Sequence, residues 1–263
     1  MEKITSIQNP RIKQILQLSK NKERREQGLV AMEGARELGL ALDAGYIPES
    51  IFLCQEVFSK SEYPSLINRL PRERIVEITP AVFDKLAYRE NSDGLIALIK
   101  PKNHDISNLK ISENPFIIIL ESVEKPGNLG AILRTADASK ADAVIVCDPN
   151  TDLYNPNVIR SSVGCIFTVQ VGIGFSAEIL EWLKEKKIES FAAELTSSEW
   201  YQESDFTGPS AIIMGTEADG LTNFWLDNAN KRIKIPMRGK IDSLNVSVST
   251  AILTFEAMRQ RGF

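Results

Sequence analysis

The sequence predicts an α/β protein in two parts, and three observations carry that expectation. Apolar runs of strand length alternate with helix-like stretches along most of the chain, the pattern of sheets covered by helices. The rhythm pauses once, at residues 101–115, where two prolines and three asparagines read as a linker. Several apolar runs end in Gly, Asn, Ser or Glu just before a helical stretch, and in open α/β sheets ligand sites gather at such carboxyl ends. At 263 residues the chain has room for one large or two small domains. We place the division between 1–105 and 106–263.

In the first part, a polar-basic helix is expected over 9–20, followed by a strand over 29–32 and a helix over 35–44. Strands over 50–54, 74–78 and 95–99 are separated by helical stretches near 63–69 and 80–86. The second part restarts with PFIIIL (115–120), a continuous apolar run suited to a strand buried on both faces. A helix begins near Asn128. Then come a strand over 143–147, a short helix near 155–162, a strand over 166–171 and a helix over 177–186. Strands over 189–195 and 210–214, a helix near 221–229, a strand over 232–235 and a last helix from Val246 to Arg261 complete the chain.

Apolar residues make up 43% and charged residues 25%, ordinary proportions for a globular protein. The longest aliphatic-aromatic run, 116–120, is too short to span a bilayer, so no membrane association is expected. The first residues, MEKITSIQNPRIKQ, lack an apolar secretory core, and a cytoplasmic location follows as the expectation. Cys54, Cys147 and Cys165 are widely spaced, which suits core thiols better than a disulfide framework. The lone histidine, His104, falls in the polar linker and reads as solvated. It cannot support a multi-histidine metal site, and no metal is expected.

Net charge is −4, yet the basic groups cluster. Residues 1–25 hold Lys3, Arg11, Lys13, Lys20, Lys22, Arg24 and Arg25 against Glu2 and Glu23. KRIKIPMRGK (231–240) holds five basic groups and no acid. Phosphate contacts depend on local clusters rather than the whole-chain sum, so both are candidate RNA surfaces.

Three motifs and one decoy carry the chemistry. In ESVEKPGNLGAILRTADA (121–138), Gly127 and Gly130 allow close backbone approach, and Asn128 fits an N-cap. Arg134 follows six residues on, roughly 9 Å up the helix. In IIMGTEADGL (212–221), Gly215 and Glu217 follow an apolar strand, and Glu217 could satisfy a helix N-terminus. In IPMRGKIDSLNVSVSTAIL (235–253), Ser243 and Asn245 precede the last helix and could act as caps. The decoy is VGIGFSA (171–177), a G-x-G-x-x-A pattern through Gly172, Gly174 and Ala177 with Glu194 about twenty residues on. It reads as a dinucleotide fingerprint and keeps a nicotinamide-dependent enzyme as the alternative.

Taken together, the three motifs resemble the SpoU/TrmH family of RNA ribose 2′-O-methyltransferases, within the SPOUT superfamily, from about residue 116 to the C-terminus. The resemblance implies an N-terminal substrate-binding domain, a C-terminal SPOUT domain with a deep trefoil knot, and a homodimer. It implies S-adenosyl-L-methionine (AdoMet) as cofactor and RNA as substrate, ribosomal RNA rather than tRNA given the domain architecture. It makes Asn128, Arg134, Glu217, Ser243 and Asn245 the active-site residues. Thr196, Gly215, Ile235, Met237 and Leu244 become the cofactor contacts. An arginine stays protonated in proteins, so Arg134 suits phosphate binding and oxyanion stabilisation. Phosphate, water or Glu217 remains as proton acceptor. A catalytically silent RNA-binding relative is the third reading.

Overall fold

The described residues, 2–88, 92–196 and 199–263 of a computed structural model, divide between two sheets. The first is mixed, ordered β1-β4-β3-β5-β2. Its strands are β1 (Glu2–Ile4), β2 (Val30–Glu33), β3 (Pro48–Leu53), β4 (Ile75–Ile78) and β5 (Leu95–Ile99). The helices are α1 (Pro10–Gln17), α2 (Asn21–Gln27), α3 (Ala35–Asp43), α4 (Gln55–Phe58) and α5 (Pro80–Leu86). Ile12 and Ile15 of α1 and Val82 and Phe83 of α5 pack with Phe52, Val76, Ile96 and Leu98 in one core. Alternate residues of β3, β4 and β5 point into it, as the two-residue repeat of a strand requires.

The second sheet is wholly parallel, ordered β10-β12-β9-β11-β6-β7-β8. In chain order its elements are β6 (Phe116–Glu121), α6 (Pro126–Ser139), β7 (Ala143–Cys147), β8 (Val171–Gly174), α9 (Ser176–Lys186), β9 (Glu189–Ala193), β10 (Glu199–Trp200), β11 (Ser210–Met214), α10 (Asn223–Asn228), β12 (Lys231–Lys234) and α11 (Val246–Arg261). Between β7 and β8 lie α7 (Pro156–Ser161) and α8 (Cys165–Thr168). Every residue of β6, β7 and β11 is buried, which is why these strands read as unbroken Ile/Val runs. Ile117, Ile119, Ile145 and Ile213 meet α9 and Trp225 on one face. On the other face α6 packs against α11.

The chain separates into two compact units: Met1–Lys102 with Leu153–Thr168, and Asn103–Asp152 with Val169–Phe263. The excursion Leu153–Thr168 belongs with the first unit because α7 packs on β2 and α8 on α3. Tyr46 meets the Phe167 ring edge-on and hydrogen-bonds Tyr154 at 3.1 Å.

Two expectations need correcting. The strand expected over 166–171 is instead the helical turn α8 followed by β8, since a short apolar run does not by itself distinguish strand from helix. His104 is not a solvated linker residue. Its Nδ1 lies 2.9 Å from the Val171 carbonyl and its own carbonyl accepts from Ile173 N–H at 2.7 Å, so the 103–110 stretch is laid along the edge of β8.

Cys54 and Cys147 are buried and Cys165 half-buried. Burial pushes the Cys147 thiol up to about 12, which leaves it inert at neutral pH. No described helix is long and apolar enough to cross a membrane.

Candidate functional site

One polar residue from each motif, Asn128, Glu217 and Asn245, meets the others near the carboxyl ends of β6, β11 and β12, all in the second unit. Asn128 donates from Nδ2 to Glu217 Oε1 at 2.6 Å, and its Oδ1 accepts from Asn245 Nδ2 at 3.1 Å. A carboxylate only accepts, so this chain of contacts fixes the orientation of the Asn128 amide. Asn245 caps α11, its Oδ1 taking the Ser247 N–H at 2.9 Å.

Asn128 does not cap α6. Pro126, with its fixed φ and no N–H, takes the first helical position, and Lys125 becomes the N-cap. Asn128 thus sits in the first turn with its side chain turned off the helix. Glu217 also lies 3.4 Å from the backbone N of Glu124 and of Lys125, placing a carboxylate at the helix entry. Burial raises the Glu217 pKa. The Asn128 amide and these backbone N–H groups outweigh that and hold it below the usual carboxylate range. An ionised carboxylate with both oxygens engaged is a poor proton acceptor but a firm pin for Asn128.

The loop bearing Glu217 is closed tightly. Thr216 N–H donates to the Gly220 carbonyl at 2.9 Å, Gly220 N–H returns a bond at 3.2 Å, and Thr216 Oγ1 accepts from Asp219 N at 3.0 Å. A Cβ on Gly215 would stand 2.1 Å from the Gly220 carbonyl carbon, so only glycine fits. The loop's left-handed backbone falls at Gly220. Glu121, which the sequence did not single out, is buried at the end of β6 and takes both the N–H and the hydroxyl of Thr222, at 2.8 and 2.6 Å. It anchors the far end of the same loop.

Arg134 is exposed on α6 and makes no hydrogen bond or ion pair with the described residues. Ser243 is exposed and, among the described residues, bonds only Asp242, at 3.2 Å, apart from the Asn128–Glu217 chain. Ile235 and Met237 line a cleft of about 280 Å³ together with Leu195, Trp200, Lys234, Pro236, Arg238 and Asp242. Among the described residues, Thr196, Gly215 and Leu244 are not in its walls. Thr196 is exposed and donates to Glu194 at 2.6 Å, and Leu244 is half-buried. Trp200 carried no motif signal, standing beside Tyr201 in an otherwise polar stretch. No group of three or more His, Cys, Asp or Glu able to hold a metal occurs among the described residues.

The decoy does not form a nucleotide turn. Gly172 and Gly174 lie within β8 itself. A Cβ on Gly172 would meet Leu109 and Ile106 side chains at 3.0 and 3.1 Å, and the Glu178 carboxylate, bonded to Phe175 N at 3.0 Å, occupies the α9 entry. A pyrophosphate needs that entry open, so the nicotinamide alternative loses its site.

The basic clusters are partly consumed by the fold. Lys3 pairs with Glu77, Arg11 with Glu2 and Lys22 with Glu26. Arg24 is buried and donates to the Leu18 carbonyl at 2.6 Å. Lys13, Lys20 and Arg25 are exposed. In the second cluster Lys231 pairs with Glu189 and Arg232 with Asp227, while Arg238 and Lys240 are exposed.

Residues 115–255 match the model of the SpoU rRNA methylase family, and residues 9–97 match an MRM3-like substrate-binding domain. A 23S rRNA uridine 2′-O-methyltransferase of Streptomyces viridochromogenes is 27% identical over 98% of this chain and 92% of its own. A crystal structure of an RNA 2′-O ribose methyltransferase superposes with TM-score 0.86 at 38% identity, covering 99% of this chain and 100% of that one. An AdoMet-bound rRNA methyltransferase from Sinorhizobium meliloti superposes with TM-score 0.89 at 26% identity, covering 98% and 97%.

Proposed function

Because the chain belongs to the SpoU rRNA methylase family, we propose that it transfers the methyl group of AdoMet to a ribose 2′-hydroxyl of ribosomal RNA. The observation that carries this reading is the hydrogen-bonded chain Asn245–Asn128–Glu217, with the exposed Arg134 on the same helix as Asn128.

The cleft after β10 and β12 suits the cofactor. Its apolar walls, Ile235 and Met237 among them, match a nucleoside, and the charged groups Lys234, Arg238 and Asp242 can meet the carboxylate and ammonium of the amino-acid end. Bound there, AdoMet supplies an electrophilic methyl on a sulfonium. Gly215 and its closed loop would present backbone groups to it, with Thr196 and Leu244 at the border. The chain's own residues do the rest. Arg134 holds the phosphate beside the target ribose and stabilises the oxyanion as the hydroxyl loses its proton. Asn128 and Asn245 each have a second amide N–H to offer ribose oxygens. Glu217 keeps Asn128 aligned and is not the base, leaving phosphate or water to take the proton. Ser243 borders the substrate side.

The Met1–Lys102 unit would bind RNA, with Lys13, Lys20 and Arg25 contacting phosphates. Passage of the last segment through the loops after β6 and β11 would form the knot. Val246 and Leu253 are buried within the unit, so pairing of two copies would use Val248, Ile252 and Phe255 at helical spacing on α11. Sedimentation at twice the monomer mass is the expected result. The reaction is tested by incubating the protein with labelled AdoMet and ribosomal RNA, then hydrolysing in alkali. A 2′-O-methyl group blocks cleavage, so label in alkali-stable dinucleotides is expected. Label released as mononucleotides, or no label, overturns the reading.

A further inference from the structure

We propose that Trp200 is a cofactor-positioning residue whose indole packs on the purine of AdoMet, a role that rests on the methyltransferase reading and adds a residue to it.

Trp200 ends the two-residue strand β10, in parallel register with Lys234 of β12. Trp200 lines the cleft with Leu195, Ile235, Pro236 and Met237, and Lys234, Arg238 and Asp242 complete its walls. Flat aromatic and aliphatic surfaces together make a slot suited to a planar ring. A purine buried against an indole gains both apolar burial and stacking. β10 is the edge strand, and β12, β9 and β11 stand between it and β6. At about 4.8 Å per strand, Trp200 lies about 19 Å across the sheet from the end of β6, after which α6 carries Asn128 in its first turn and Arg134 further along. The methyl sits on a central sulfonium, so distance from Arg134 admits either end of the cofactor. The flat indole and the aliphatic side chains around it select the planar purine over the charged amino-acid end. The other two tryptophans, Trp182 and Trp225, are buried in the core, so Trp200 is the natural fluorescent reporter of the cleft.

The test uses S-adenosylhomocysteine and 5′-methylthioadenosine, which share the purine and differ in the amino-acid end. Calorimetry on the full chain should show Trp200→Ala weakening both ligands by a similar factor, roughly 10- to 100-fold. Trp200→Phe, which keeps a ring, should stay within about fivefold of wild type. Saturating S-adenosylhomocysteine should change the emission of wild type and not that of Trp200→Phe. The proposal is overturned by an unchanged wild-type emission, or by Trp200→Ala affinity within twofold of wild type. It is also overturned by a loss confined to S-adenosylhomocysteine, which would put the indole at the amino-acid end. Wild type that binds neither ligand would instead remove the cofactor reading beneath it.

Discussion

Gly172–Ala177 and Gly215–Gly220 are written in the same grammar, glycines at the end of an apolar run followed by a helix, yet they fold to opposite ends. In the first, both glycines are strand residues whose missing side chains make room for Ile106, Leu109 and Ile179. In the second, the glycine lets two backbone segments touch, and the loop so closed holds Glu217 against Asn128. Glycine spacing alone does not separate a packing need from a ligand need. The neighbours that fill or empty the space do.

The largest effect should come from the residue that the second loop serves without touching. Arg134→Ala is expected to lower single-turnover methyl transfer about 10²–10³-fold, the usual loss for removing one donor to a developing oxyanion. Affinity for S-adenosylhomocysteine should be unchanged, since the cleft walls come from other segments. Near-normal transfer would detach the chemistry from the β6 and β11 ends and reopen the comparison.

Next is Gly215→Ala. The added methyl would meet backbone atoms of Gly220 and Leu221 at 2.1–2.3 Å, and backbone cannot swing aside as a side chain can. We expect a stability loss of about 3 kcal/mol in urea unfolding, at the upper end of overpacking costs, together with weakened S-adenosylhomocysteine binding. A variant of wild-type stability would show that the loop is looser than its hydrogen bonds indicate.

What the sequence made legible follows from where its signals are local. β5, β7, β11, α5 and α11 appear at the expected residues because continuous apolar runs, or a proline or Asn cap, mark both ends. β1 and β10 have three and two residues, too few to show a period, and Trp200 was invisible with β10. The attachment of Leu153–Thr168 to the first unit depends on tertiary partners such as Tyr46, which no local pattern names. At the site, Asn128, Glu217 and Asn245 could be picked out by motif, but their mutual bonds span 89 and 117 residues of sequence. Glu121 was missed because a carboxylate ending an Ile run looks like a strand terminus until Thr222 is placed beside it.

A smaller effect tests the electrostatics of the second loop. The folded pKa of Glu217 lies below its unfolded value, so its contribution to stability is present above the unfolded pKa and is lost as pH falls through the folded one. Glu217→Gln should therefore flatten the acid limb of the stability curve below about pH 5. Solvent screening keeps the change modest, because the carboxylate is only partly buried. Denaturant midpoints from pH 3 to 7 would show it. An acid limb identical to wild type would mean the Asn128 bond is not formed in solution.

The smallest effect should be at Gly172, and its smallness is the point. Its φ is not in the left-handed region, and a new methyl would meet side-chain atoms alone: the tip of Leu109 at 3.0 Å, the Ile106 branch methyl at 3.1 Å and Ile145 Cγ1 at 3.5 Å. The two close contacts are on the 103–110 stretch at the sheet edge, where a rotation of Leu109 and a shift of the stretch by a few tenths of an ångström relieve them. Gly172→Ala should cost at most about 1 kcal/mol, offset in part by the lower entropy of the unfolded chain. Methyl transfer and S-adenosylhomocysteine affinity should stay within about threefold of wild type. The same residue in a true dinucleotide turn would be intolerant, because there the glycine admits a pyrophosphate rather than a leucine. A Gly172→Ala protein that folds normally but loses cofactor binding would make the two glycine segments functionally equivalent, and the distinction between filled and empty space would fall with it.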